Sequence, residues 1–474
     1  MTHPSEDRAQ TVSPARAAEV AEYLAAHRDD VIAALAGWVR LRSVSGLPER
    51  RADLIRSANW LAGALREVGF PTAEVLSADG SPTVYAEWCT RPEAPTVLVY
   101  SHHDVRPAKD EIWEQTPPFD PALRDGRLFG RGASDAKGQI IAHLWGLRAH
   151  LQRSGTPELN LKVLVEGEEE IGSPHLAAFL DEHRDRFTGT DLIMVSDTML
   201  WSAEHPAVCH GVRGSVQADL EIYGPGHDIH SGAVAGATVN PLSEMCRLLA
   251  RLHDDDGRVA VPGFYDSVVE LSDTERRQLR ALPYDDEDWR QRSHTRTVVG
   301  EPGYTVPERI YARPVAEVLS MASGDPEGPS RGAIPAVATA SITVRTVPDQ
   351  RVDQVAEQLR RWVADQISDA VDYQLSIPEE TGQNPYVTPS GHPALTALTE
   401  AMRAGFGDEV GHMRNAGAAP AALLSGALDA PVIFFGTGLP EDNWHDTDES
   451  IRIDMLLKGA ATLTHLWEHP SLHP

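Results

Sequence analysis

The segment Leu161 to Ser173, LKVLVEGEEEIGS, runs an apolar stretch into Glu166, Glu168, Glu169 and Glu170. Carboxylates that close repel one another, so either water solvates the cluster or a positive charge belongs there. Comparable groups stand at the ends of three other apolar stretches. VLVYSHHD ends on His102, His103 and Asp104, LIMVSD leads to Asp197, and VIFFGTGLPEDNWH runs to His445. The glycine-rich GRGASDAKG adds Asp135 ahead of a helical pattern, and it lacks the GKS or GKT of a phosphate loop. Imidazoles and carboxylates without thiols suit zinc, manganese or cobalt. So many donors exceed the needs of one ion. They fit a pair about 3.5–4 Å apart, sharing one carboxylate and one water. Taken singly, a His-x-Asp or a glutamate run is more often a turn or a solvated face. Coincidence at several strand ends is what points to metal.

For these residues to meet, the stretches carrying them must lie side by side. PTVLVYSHHDV, LNLKVLVEG, TDLIMVSD and APVIFFGTG are nearly continuous apolar runs, as expected of strands covered on both faces. Helical patterns alternate with them: Ala17 to Gly37, SANWLAGALREVGF ending at Gly69, QIIAHLWGLRAHLQRSG stopped by Gly155, SPHLAAFLDEHRDRF and PALTALTEAMRAGFG. This alternation predicts an α/β domain with a mainly parallel sheet flanked by helices. In an open parallel sheet the carboxyl ends of the strands share one edge, where ligands bind. The texture changes near residue 213. SVQADLEIYG and AVATASITVRTVP alternate apolar with polar, with helical PLSEMCRLLARLHDD and VDQVAEQLRRWVADQI between and after them, and VDYQLSIPE closing. Strand–helix–strand–strand–helix–strand is the ferredoxin-like order of an inserted α+β unit. The expected division is 1–212 and 383–474 for the α/β domain and 213–382 for the insert. The polar segment DDEDWRQRSHTRTVVGEPGYTVPERIYARP reads as a long excursion within it.

A chain of 474 residues exceeds one ordinary core. Its 70 acidic against 42 basic residues give a formal charge of -28, which repels nucleic acid and anionic membranes. No apolar run reaches the roughly 18 residues of a membrane span, and the N-terminus does not read as a secretory signal. Cys89, Cys209 and Cys246 lack metal-type spacing and suggest a reducing compartment, hence a cytoplasmic protein.

SHHDVRP, DGRLFGRGASDAKG, EGEEEIGS, DIHSG with NP soon after, and HDTDE, in that order, resemble the dinuclear zinc aminopeptidase-like hydrolases. These include carnosinases, cytosolic nonspecific dipeptidases, aminoacylases, acetylornithine deacetylase and succinyl-diaminopimelate desuccinylase; GHDIHSG, PGFYDSV and the long central segment look most like the dipeptidase branch. The resemblance implies two divalent ions per subunit, zinc first, with manganese or cobalt as alternatives. His102 and Asp197 would hold one ion, Glu170 and His445 the other, and Asp135 would bridge. Asp104 would orient His102, and Glu169 would act as general base on a water shared by the ions. His230 would stabilise the oxyanion of the partner subunit's site. Arg345 would bind the carboxylate of a dipeptide, and Asn240 would contact substrate. A homodimer through the inserted lid domain is implied too. The chain departs from the family at His103, where tyrosine is usual, and at Arg106, where glutamine is usual. Ala418 replaces a serine and Gly332 a threonine, both of which contact substrate. The expected activity is metal-dependent hydrolysis of dipeptides or short peptides. N-acyl amino acid deacylation on the same metal site is the alternative, and a silent binding or dimerisation protein is a third reading. Retention of Glu169 and all five ligand positions argues against the last.

Overall fold

The computed structural model describes residues 12–78, 81–109, 112–324, 331–378, 382–469 and 472. The apolar runs form the strands β1 (Thr72–Ala78), β2 (Ser81–Trp88), β3 (Thr96–His102), β4 (Asn160–Glu166), β5 (Leu192–Val195) and β6 (Val432–Phe434). They make one sheet in the order β1-β2-β4-β3-β5-β6. β2 pairs antiparallel with β1 and β4, and the remaining neighbours run parallel. Every residue of β3 and β4 is buried, which is why their sequences show no alternation.

Long helices supply the apolar cover. Arg51–Val68 presents Leu54, Leu61 and Leu65, which the helical period puts on one face, and ends at Gly69, whose φ of 122° suits glycine. Lys137–Ser154 and Ile453–Trp467 bury most of their length, and Thr464 Oγ1 donates to the Gly146 carbonyl at 3.0 Å between them. Their apolar faces join those of β1 to β6 in one core.

The chain separates into two compact units, one of residues up to 211, 387–415 and 423 onward, the other of 212–386 and 416–422. The second has its own core. Its strands Gly214–Tyr223, Val315–Ser323, Val337–Thr346 and Asp372–Ser376 alternate in sequence with the helices Pro241–Leu249 and Val352–Gln366 in βαββαβ order. Numbered within this unit, the strands lie as 4-1-3-2, all antiparallel, which is the ferredoxin-like arrangement. Val216, Ala218, Leu220 and Ile222 face the helices with Ala340, Ile342 and Val344. Ser215, Gln217 and Asp219 take the other face, as alternation requires.

The expected excursion is more structured than its composition suggests. It contains the helices Asp286–Ser293 and Val306–Ala312, and an ion cluster fastens it. Buried Arg313 meets Glu301 at 2.8 Å and Glu270 at 3.0 Å, while Arg276 and Arg280 lie 3.6 and 3.3 Å from buried Glu308. Among the described residues no helix is long and apolar enough to cross a membrane.

Candidate metal centre

Parallel pairing decides which groups meet. In register, His102 pairs with Glu166, and Tyr100 pairs with Val195, so Asp197, two residues on, reaches the level of His102. β6 extends the same edge, with Phe434 beside Val195, and the loop after it returns to place His445 there. The backbones crowd at this edge. A Cβ on Gly436 would lie 1.9 Å from the Thr198 carbonyl oxygen and 2.6 Å from Gln139 Oε1.

Asp135 stands at the centre. Its Oδ1 lies 3.1 Å from His102 Nε2 and its Oδ2 3.0 Å from His445 Nε2. Asp197 Oδ1 is 3.6 Å from His102 Nε2, and Glu170 Oε2 is 3.2 Å from His445 Nε2. Ligand atoms of His102, Asp135 and Glu170 lie within 4.8 Å of one another, as do those of His102, Glu169 and Asp197. His102, Asp135 and Glu170 are buried, Glu169 is partly so, and His445 keeps half its side chain exposed.

Asp104 contributes more than an imidazole contact. Its carboxylate lies 3.4 Å from His102 Nδ1, which also approaches the Asp104 carbonyl oxygen at 3.1 Å. The same carboxylate accepts the amides of Glu169 at 3.2 Å and Glu170 at 3.1 Å. One buried acid thus fixes both the imidazole and the glutamate turn. The other two acids of that turn have separate work. Glu166 accepts the hydroxyls of Tyr100 and, at 2.9 Å, Ser173, and burial lifts it to about 7. Glu168 meets His175 Nδ1 at 2.6 Å. His103 turns away, with Nε2 2.8 Å from the Pro82 carbonyl, and burial holds it at about 4, a neutral structural imidazole.

The electrostatics are those of a site short of positive charge. Burial opposes a charged His102, yet Asp197, Asp104 and Asp135 raise it well above its ordinary value. Burial likewise opposes charge on His445, and Asp135 and Glu170 carry it up to about 10. Burial pushes Glu169 well above the usual carboxyl range, opposed by His102 and reinforced by Asp197 and Glu170. Asp135 Oδ2, Glu170 Oε2 and Asp197 Oδ1 are buried and accept no well-aligned hydrogen bond. Buried oxygens without a well-aligned donor are rare, and converging buried carboxylates need compensating positive charge. The donor set of imidazole nitrogens and carboxylate oxygens therefore fits divalent metal. Arg106, an unusual neighbour, puts its Nε 2.8 Å from Glu170 Oε2.

His230, Asn240 and Arg345 belong to the second unit. His230 is exposed, on the short strand Ile229–His230 paired with Ala333–Ile334. Asp228 braces this turn by accepting the Ala336 amide at 2.9 Å. Asn240 caps the helix Pro241–Leu249, its Oδ1 accepting the Leu242 amide at 3.0 Å, so its side-chain oxygen is engaged. Arg345 pairs in register with Ser215 on the face away from the helices. Burial pulls its guanidinium down, and no acid among the described residues offsets this. Sequence reasoning missed Glu449, Asp442 and Ser134, which shape the Asp135 loop. HDTDE contains the first of these, but nothing in the spacing shows what it touches.

Paired histidine–carboxylate sets at the carboxyl edge of a parallel sheet, with a ferredoxin-like unit inserted in the chain, define a metal-dependent hydrolase. The chain belongs to peptidase family M20/M25/M40, whose family model matches residues 98–469. It is 28% identical over 453 residues to Beta-Ala-His dipeptidase of Homo sapiens, covering 92% of this chain and 89% of that protein. It is 27% identical over 442 residues to the cysteinylglycine-S-conjugate dipeptidase of Corynebacterium striatum, covering 90% and 92% respectively. The crystal structure of human carnosine dipeptidase 1 superposes with a TM-score of 0.84 at 28% identity, covering 96% of this chain and 99% of that one. The fold expected from the sequence, an α/β sheet domain with an inserted ferredoxin-like unit, is the observed one, and the family resemblance holds.

Proposed function

We propose that this peptidase cleaves dipeptides using two divalent ions, zinc in the first instance. His102 and Asp197 would hold one, His445 and Glu170 the other, and Asp135 would bridge. One observation carries this reading: the two oxygens of Asp135 face different histidines, at 3.1 and 3.0 Å. Bound ions would polarise the scissile carbonyl and acidify a water. Glu169, beside His102 and Asp197, would serve as the general base, taking a proton from the attacking water and returning it to the leaving amine. Asp104 keeps Glu169 in place by accepting its amide.

His230 donates to the developing oxyanion, supplied by the partner subunit of a homodimer assembled through the inserted unit, which acts as a lid. Arg345, a cation with no acid among the described residues to offset its burial, holds the free carboxylate of the substrate. The amide nitrogen of Asn240, whose oxygen is committed to a helix cap, remains to contact substrate. The dipeptidase names of relatives that align over most of both chains support a dipeptide over an N-acyl amino acid. Three unpaired cysteines are in keeping with a cytoplasmic enzyme.

The test is a panel of dipeptides against N-acetyl and N-succinyl amino acids, run after chelation and on adding back zinc, manganese or cobalt. Dipeptides should be hydrolysed fastest, and only with metal present. Preferential release of acetate or succinate would replace this reading with the deacylase one.

A further inference from the structure

Glu449 closes the HDTDE segment, four residues beyond His445, and its side chain has no exposed surface. Its Oε1 accepts the amides of Ser134 at 3.0 Å and Asp135 at 3.1 Å. Its Oε2 accepts the amide of Gly132 and Nη1 of Arg131, both at 2.9 Å. Its carbonyl oxygen takes the Gly130 amide at 2.8 Å. Three amides of the loop therefore converge on one carboxylate, much as amides converge on an anion in a nest, but here the anion is a side chain of the protein. Further bonds join the same two loops. Arg131 Nη2 donates to the Asp446 carbonyl at 3.0 Å, and Trp444 Nε1 to Ser134 Oγ at 2.8 Å. Ser134 Oγ in turn donates to buried Asp442 at 2.7 Å. One of these loops carries Asp135 and the other His445, whose separation is 3.0 Å.

We propose that Glu449 is a positioning residue of the metal centre: by gathering the amides of Gly132, Ser134 and Asp135, it fixes where Asp135 stands between His102 and His445 and so sets the affinity for the ions. The inference rests on the metal reading above. A carboxylate is required because each of its contacts is a donor. The isosteric amide would turn an NH2 group toward two of those donors. Groups that orient metal ligands in this way typically change metal affinity 10- to 100-fold when altered, by roughly that range.

The experiment compares chelated wild-type, E449Q and E449D proteins. Zinc affinity is measured by competition with a chromogenic chelator, and thermal melting of the metal-free forms is recorded beside it. E449Q should melt cooperatively and bind zinc about 10- to 100-fold more weakly. E449D keeps the charge but loses reach, and should fall between the two. A merely structural role would lower the melting temperature and leave zinc affinity at the wild-type value below it; that result overturns the proposal. If E449Q does not fold, E449D decides: weaker zinc binding supports the proposal, and wild-type binding overturns it. Wild-type protein that binds no zinc would instead defeat the metal reading itself.

Discussion

At the scale of single residues, the site is built from acids with different tasks. Glu166, Glu168, Glu169 and Glu170 look equivalent in sequence, but their partners separate them. Glu166 takes two hydroxyls, Glu168 takes a histidine, and only Glu169 and Glu170 turn toward His102 and His445. Glu169→Ala should reduce turnover by about 10²- to 10⁴-fold, the usual contribution of a general base. Metal content, read by elemental analysis, should stay at the wild-type level. Near-normal turnover would move the base elsewhere. Four of the five ligand candidates were legible because each follows an apolar strand of the sheet, and Asp135 because it stands in a glycine-rich loop ahead of a helix. That Asp104 should orient His102 was legible too, but the gathering of backbone amides by Asp104 and Glu449 was not, because every residue but proline carries such a donor.

At the scale of elements, close approach and helix docking make the edge rigid. Gly436 lets the loop after β6 pass against Thr198, the residue following Asp197. Gly436→Ala would have to push that backbone aside. We expect a loss of about 1–3 kcal/mol in urea unfolding, together with weaker metal binding. Unchanged stability would mean the strand ends yield without cost.

Helix docking adds a pH-dependent term. Glu468, at the end of the helix Ile453–Trp467, is paired with Arg16 of the helix Pro14–Ala26 and lies 3.3 Å from His150 of the helix Lys137–Ser154. Burial opposes its charge, but His150 and Arg16 hold it down at about 2, against an ordinary value of 4.5. A depressed carboxyl stabilises the fold above its unfolded value and loses that contribution as pH falls through the folded one. Glu468→Gln should therefore cost about 1–2 kcal/mol at neutral pH, allowing for solvent screening. Its deficit in denaturant melts should shrink as pH is lowered from about 5 toward 2. A deficit constant with pH would assign the effect to packing. The strand Val315–Ser323 escaped sequence reading for a related reason. It lies at a sheet edge and is largely exposed from Glu317 onward, so burial imposes no alternation on its residues.

At the scale of the molecule, the proposed dimer makes a strong demand. If His230 serves the partner's site, neither His230→Ala nor Glu169→Ala homodimers can work, but a mixed dimer restores one complete site. Random reassociation of equal amounts should recover about one quarter of normal activity. Verified mixed dimers no more active than either parent would rule out the shared site. The sequence alone determined the two textures, the strands that end in metal-binding groups and the insertion of one unit within the other, because burial on one or both faces writes its period into the residues. Only the tertiary structure decided which acids face a histidine, which gather amides and which are braced by hydroxyls. Those roles depend on backbone donors and on register between strands far apart in the chain, and neither leaves a pattern in residue type.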